Sequence, residues 1–306
     1  MTQAVQAVWG GILFGSVYGL MALGLTLVWG AVRLLNLAHG AIFVVGAYAA
    51  YWVTSSLHLP ILVALPIGVL AAAAFAYAMH VGFIRPVLGK PGFDNATIIA
   101  TVGISIAVSA AALLIFNPEY KVVPAVLSGY FIVAGVQISN QGLLVIGTSL
   151  ALFALVYVYL TYTRHGMAIR AVSQQQEAAS LMSIPVERTY GTVIAISGAL
   201  AGVAGVLLSP FFFLSPNSGF NPMIQALIVT IFGGLGSIRG ALVAGFVLGI
   251  FESFVEVFYG VAELKGAHRH KSVASPTDKP RAGDREDAGE LVEGQRQEDD
   301  VHASQA

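Results

Sequence analysis

The chain has 306 residues, of which 57% are hydrophobic and only 10% charged; its mean hydropathy is +0.79 and its formal net charge -1. A soluble core cannot absorb that much apolar surface, so the composition places the chain in a membrane. The balanced charge offers no basic stripe for nucleic acid, and the absence of cysteine removes disulfides, thiolate metal sites and thiol nucleophiles together.

The first apolar run follows "MTQAVQAVWGG", which has no Lys or Arg. A cleaved secretory signal is therefore not expected, and the run is read as a span. A span needs about 20 apolar residues, and runs of that kind lie near 5-29, 34-55, 59-82, 96-117, 142-163, 189-210 and 241-260, with a shorter one near 223-236. The expectation is an all-α polytopic bundle of about eight transmembrane or re-entrant helices, occupying residues 1-262.

Between the first two runs stands "RLLNLAHG". Asn36, His39 and Gly40 are expected at the cytoplasmic entrance of the second span, where the first backbone N-H groups of a helix lack partners. Two readings stay open there: Asn36 as the N-cap of that helix, or the Asn36-His39 pair as part of a gate at the inner end of a path.

Between the fourth and fifth runs, "GYFIVAGVQIS" is short, aromatic and β-branched with a central Gly, which predicts a small hairpin. Between the fifth and sixth lies "RHGMAIRAVSQQQEAASLMSIPVERTYG", polar and expected to be helical from Ala168 to Met182, ended by Pro185. Ile169, Val172, Ala179 and Met182 would form an apolar stripe. Such a stripe suits either a groove in a soluble partner or the headgroup layer of the bilayer.

The seventh run is too short to cross comfortably. Gly233, Gly234 and Gly236 predict a non-helical break after it, because each glycine costs a continuous helix about 1 kcal/mol relative to alanine. Small residues at helical spacing, among them Gly240, Gly245 and Gly249, let neighbouring helices approach closely. Glu252 and Glu256 are one turn apart on the last run, and serve either as a proton relay or as carboxylates facing the bundle interior.

Orientation follows from the cations. If the N-terminus is outside and every run crosses, Arg33, Arg85, Lys90, Arg164, Arg170, Arg188 and Arg239 fall inside and Lys121 alone outside, before the tail. Residues 263-306 form that tail, rich in Asp, Glu, Lys, Arg, Gly and Pro and expected to be disordered. Span parity puts it outside.

Chemistry of the enzymatic kind finds little support. The nearest string to a serine-protease turn, Ala195-Ile196-Ser197-Gly198, lacks the first glycine, and His58, His80 and His165 are scattered with no metal-binding spacing. "RPVLGKPG" lacks the upstream glycine and the hydroxyl of a phosphate loop, so any ATP would have to be bound by separate subunits. No catalytic residue, metal or cofactor is expected.

Three stretches resemble one family: "GLTLVWGAVRLLNLAHGAIFVVGAY", "RAVSQQQEAASLMSIPVERTYGTVIAISGALAGVAGVL" and "VTIFGGLGSIRGALVAGFVLGIFES". The order and spacing are those of the LivH-type permeases of ATP-binding-cassette importers for branched-chain amino acids. The resemblance implies a multi-pass subunit of the bacterial inner (plasma) membrane working by alternating access, with a second permease, two cytoplasmic ATPases and a periplasmic binding protein as partners. It also implies that Arg170, Glu177, Ala178, Ala179, Met182 and Ser183 belong to the loop that couples to the ATPase. Two departures stand out. Ser183 replaces the glycine usual before the isoleucine, and the polar tail follows where the family has one more apolar span. The reading from a different class is a self-sufficient carrier or channel for a small polar solute working through Glu252.

Overall fold

The computed structural model describes residues 2-88, 90-133 and 136-273. It divides into two units, 1-257 and 258-306. The first carries the hairpin and every helix, apart from residues 258–273 of the last one. Of the polar tail expected at 263-306, residues up to Val273 are helical, and 274-306 lie outside the described residues.

The described chain is mostly helical. Its α-helices are α1 (Thr2–Val32), α2 (His39–Ser55), α3 (Ile61–Met79), α4 (Phe93–Phe116), α5 (Asn140–Tyr162), α6 (Arg164–Gln174), α7 (Gln176–Leu181), α8 (Val186–Leu208), α9 (Phe220–Phe232) and α10 (Ile238–Val273). Among the described residues six helices are long and apolar enough to cross a membrane: α1, α3 with its continuation to Val87, α4, α5, α8 and α10. The shorter α9 would span about 20 Å at 1.5 Å per residue, less than a hydrocarbon core of about 30 Å.

Burial separates these helices into a centre and a periphery. The most apolar window of α1 is 89% buried and that of α8 is 78% buried, against 17% for α4. Small residues make that centre dense. Gly46 of α2 and Gly202 of α8, for instance, meet backbone to backbone, with Ala72 of α3 beside them. The peripheral helices turn Leu62, Leu70, Ile99, Ile106, Leu114, Leu155 and Val247 outward, a surface suited to lipid.

The hairpin forms where the alternation places it. Strand β1 (Tyr130–Val133) pairs antiparallel with β2 (Val136–Ser139), with Tyr130 opposite Ser139. Ser139 then caps α5, its Oγ accepting the Gly142 N-H at 3.1 Å. Gln141 ties this end together: its Oε1 accepts the N-H groups of Val126 and Leu127, and its Nε2 donates to the Leu207 carbonyl of α8. Lys121 and Leu214 exchange backbone hydrogen bonds at 2.9 Å, so the long connections after α4 and α8 share one end of the bundle.

Two local expectations are corrected. The second apolar run does not begin a helix at residue 34: Arg33 takes a left-handed φ of 60°, and α2 begins only at His39. The helix expected from Ala168 to Met182 is two helices, because Gln175 is extended at φ -154° and ψ 107°. Nothing in the composition marks that break, since glutamine is a good helix former.

Candidate functional site

The residues around α2's start lie deep in the protein. Asn36 is 1% exposed and His39 is 0% exposed, so both side chains are packed within the chain. The N-cap position is Ala38, and the Asn36 Oδ1 accepts the Ala38 N-H at 3.1 Å, closing a turn two residues ahead of the helix. The His39 ring reaches α1 well before that helix ends at Val32: a Cβ added to Gly24 would lie 2.9 Å from His39 Cε1 and 3.1 Å from Ser197 Oγ of α8. Neither ring nitrogen makes a well-formed hydrogen bond, although the Met21 backbone is close enough to act on it. The Oγ atoms of Ser197 and Thr26 are likewise buried without partners. Polar groups so placed are costly in an apolar interior, which makes this junction of α1, α2 and α8 a candidate for function.

Beside it, α2 and α9 begin against each other. A Cβ on Gly40 would strike the Gly219 carbonyl, and a Cβ on Gly219 the Gly40 carbonyl. Two short helices thus start from one close contact inside the bundle, an arrangement tolerated at membrane depth when it is buried in protein.

At the other end of α9 the chain is non-helical from 233 to 237, with Gly234 and Gly236 both at φ 89°. Only glycine adopts that conformation without penalty. Gly233 packs on Gly240, and Gly236 approaches Gly30 near the end of α1. Further along α10, Glu252 is half-buried; its Oε1 accepts from Gln225 Nε2 of α9 at 2.9 Å, and it interacts with Tyr18 of α1. Its Oε2 is buried with no hydrogen-bond partner.

The α6-α7 unit is positioned by its own apolar residues. Thr163 caps α6, its Oγ1 accepting the Gly166 N-H at 3.0 Å, and Arg170 donates to the Thr161 carbonyl. Ile169, Val172 and Ala179 are 5%, 3% and 4% exposed, turned into the chain's own core. The stripe expected to meet a partner is therefore already covered, save for Met182. What the unit presents instead is Met167, Glu177, Ala178, Leu181 and Met182. Ser183 follows at φ 60°, while the Ile184 N-H donates to the Ala179 carbonyl and returns the chain to α8. A non-glycine residue in that conformation costs about 1–2 kcal/mol, and glycine gives back about 0.4–1 kcal/mol by loosening the unfolded chain, so Ser183→Gly is expected to stabilise the protein by about 0.5–1 kcal/mol. Thermal unfolding of the purified protein in detergent checks this; a lowered midpoint would contradict it.

Arg33, Leu88, Lys90, Asp94, Ser173 and Gln176 line one cavity, so the end of α1, the start of α4 and the α6-α7 joint share an end of the bundle. An ion pair between Arg85 and Glu187 lies between the tail of α3 and the start of α8.

Comparison with known proteins places this architecture. Residues 8–268 match the family described as the permease component of branched-chain amino acid transport systems. The chain belongs to that permease family. It is 31% identical over 271 residues to the high-affinity branched-chain amino acid transport permease BraD of Pseudomonas aeruginosa, covering 84% of this chain and 87% of the relative. Against LivH of Escherichia coli K12 it is 29% identical, covering 83% and 86%. A probable LivH of Methanocaldococcus jannaschii is 28% identical, covering 83% and 81%. No solved structure matches. As a permease-family chain with six apolar helices of spanning length, it is a multi-pass membrane protein.

Proposed function

We propose that this chain is the transmembrane permease subunit of an ATP-binding-cassette importer for branched-chain, hydrophobic amino acids in the bacterial inner membrane. On this reading α1 to α5 and α8 to α10 make about eight transmembrane or re-entrant passes, with α2 and α9 as the short ones. The α6-α7 unit is the cytoplasmic coupling element. Catalysis belongs to separate ATPase subunits, so the chain itself is not an enzyme and carries no cofactor. A second permease completes the path, and a periplasmic binding protein delivers cargo.

The observation that carries the reading is the position of α6-α7. It shares a cavity with Arg33 and Lys90, and it carries Arg164 and Arg170, so it lies at the cation-rich end that topology rules assign to the cytoplasm. ATP-driven movement of a subunit docked there would be transmitted through Ile169, Val172 and Ala179 to α1, α5 and α8 and would rock the bundle between outward and inward states.

A second reading, a self-sufficient carrier or channel working through Glu252, draws on that residue's unpartnered Oε2 and its link to Gln225. Reconstitution separates the two. Proteoliposomes holding this chain, its partner permease, ATPases and binding protein are expected to move labelled leucine only when ATP is supplied. Leucine flux through this chain alone would overturn the importer reading in favour of the carrier.

A further inference from the structure

The cavity at the α6-α7 joint has a composition that docking of a protein does not require. Its volume is about 410 Å³, within the roughly 300–1,000 Å³ of small-molecule sites. Three charged residues, all exposed, line this open cavity: Arg33 just past the end of α1, Lys90 from the turn before α4, and Asp94 from the first turn of α4. Among the described residues none of the three makes an ion pair or a side-chain hydrogen bond, either with another or with anything else. Opposite charges that share a cavity without pairing leave room for a ligand carrying both signs.

Backbone electrostatics add to this pattern. Phe93 and Asp94 belong to the first turn of α4, whose N-cap, Gly92, gives no side-chain cap, so the negative group that end favours is Asp94 itself. Ser173 and Gln174 belong to the last turn of α6, cut short at Gln175, and that end favours a positive one. Leu88, Phe93 and Val172 supply an apolar wall between them.

We propose that this cavity binds a free zwitterionic amino acid with an apolar side chain and slows transport as that amino acid accumulates in the cytoplasm. The carboxylate is taken by Arg33 and Lys90, and the ammonium by Asp94 and the end of α6. The apolar side chain lies against the Phe93 wall. Because the lining comes from α1, α4, α8 and both sides of the α6-α7 break, an occupant favours the one arrangement of the coupling element in which it fits. This rests on the inward placement of α6-α7 and on the cargo class proposed above.

The test uses the complete importer in vesicles with the α6-α7 side facing the bath, ATP in the bath, and binding protein with labelled leucine in the lumen. Unlabelled leucine added to the bath at millimolar concentration is expected to slow the initial rate several-fold. Leucinamide, which lacks the carboxylate, and 4-methylpentanoate, which lacks the ammonium, are expected to leave it unchanged. Asp94→Asn and Lys90→Gln should each weaken inhibition about tenfold, since each removes one charge-assisted contact, while the rate without bath leucine stays at the wild-type value. Transport that ignores bath leucine overturns this inference alone, as does inhibition that survives both substitutions or is matched by leucinamide. Absence of any ATP-driven transport overturns the importer reading and the inference with it.

Discussion

Replacing Leu181 and Met182 together by aspartate is expected to abolish ATP-driven uptake while leaving the chain in the membrane at the wild-type level. These side chains are 86% and 78% exposed, at the end of α7 and in the turn after it. They sit on a platform whose shape is set by the buried Ala179 and by the Ile184 N-H to Ala179 carbonyl bond, so the substitutions alter the surface without disturbing its support. Exposed apolar side chains on a rigid loop are the usual anchors of a protein interface, and loss of such anchors costs 2 kcal/mol or more, about a thirtyfold loss of affinity. Uptake and co-purification of the ATPase subunits should fall together. Wild-type uptake in the double variant would show that the motor grips another surface.

Gly219→Val is expected to prevent stable assembly of the bundle. The added atoms would meet the Gly40 carbonyl and Val44 Cγ2, the latter already at 2.9 Å from the first carbon alone. Both obstacles lie on α2, whose neighbours Ile42, Phe43 and Val44 are buried, so the helix cannot simply step aside. Overpacking of this kind costs about 3 kcal/mol or more, a large part of the roughly 5–15 kcal/mol that holds a domain folded. Membrane yield should drop sharply, and any protein recovered in detergent should unfold at a lower temperature. Gly40→Val should behave alike, because the contact is mutual. A Gly219→Val chain that transports at the normal rate and melts normally would mean that α2 and α9 do not touch there.

The long helices were legible because a membrane admits few other structures: each needs an uninterrupted apolar run, and such runs are visible in one dimension. Polarity at a run's edge was not. The sequence offers Asn36 and His39 as a helix cap or as part of a gate, and a polar residue beside an apolar run is also what a buried junction between helices requires. Only the three-dimensional neighbours Gly24 and Ser197 reveal that junction. The stripe of Ile169, Val172 and Ala179 failed for a related reason. Periodicity tells which face of a helix is apolar and is silent on whether the chain's own core or a partner covers it. The split at Gln175 was hidden by a residue with no conformational preference against helix. The cavity was invisible because Arg33, Lys90 and Asp94 meet Gln174 only after folding.

The burial of α1 bears on the order in which the protein is built. That helix is made before α2 to α10, yet its sides are closed by α8, by α9 and by the late glycine seam of α10, where Gly245 and Gly249 lie against the backbone of Gly15. Throughout synthesis α1 must wait with its small-residue faces open, sheltered by lipid, by the insertion machinery or by chaperones, until more than two hundred further residues have been threaded into the bilayer. Its native contacts are among the most distant in sequence that the fold contains, and pairing of that kind is slow. A ribosome that stalls after α5 would therefore release a chain whose most buried helix has met α5 but lacks α8, α9 and α10, an early target for membrane proteolysis.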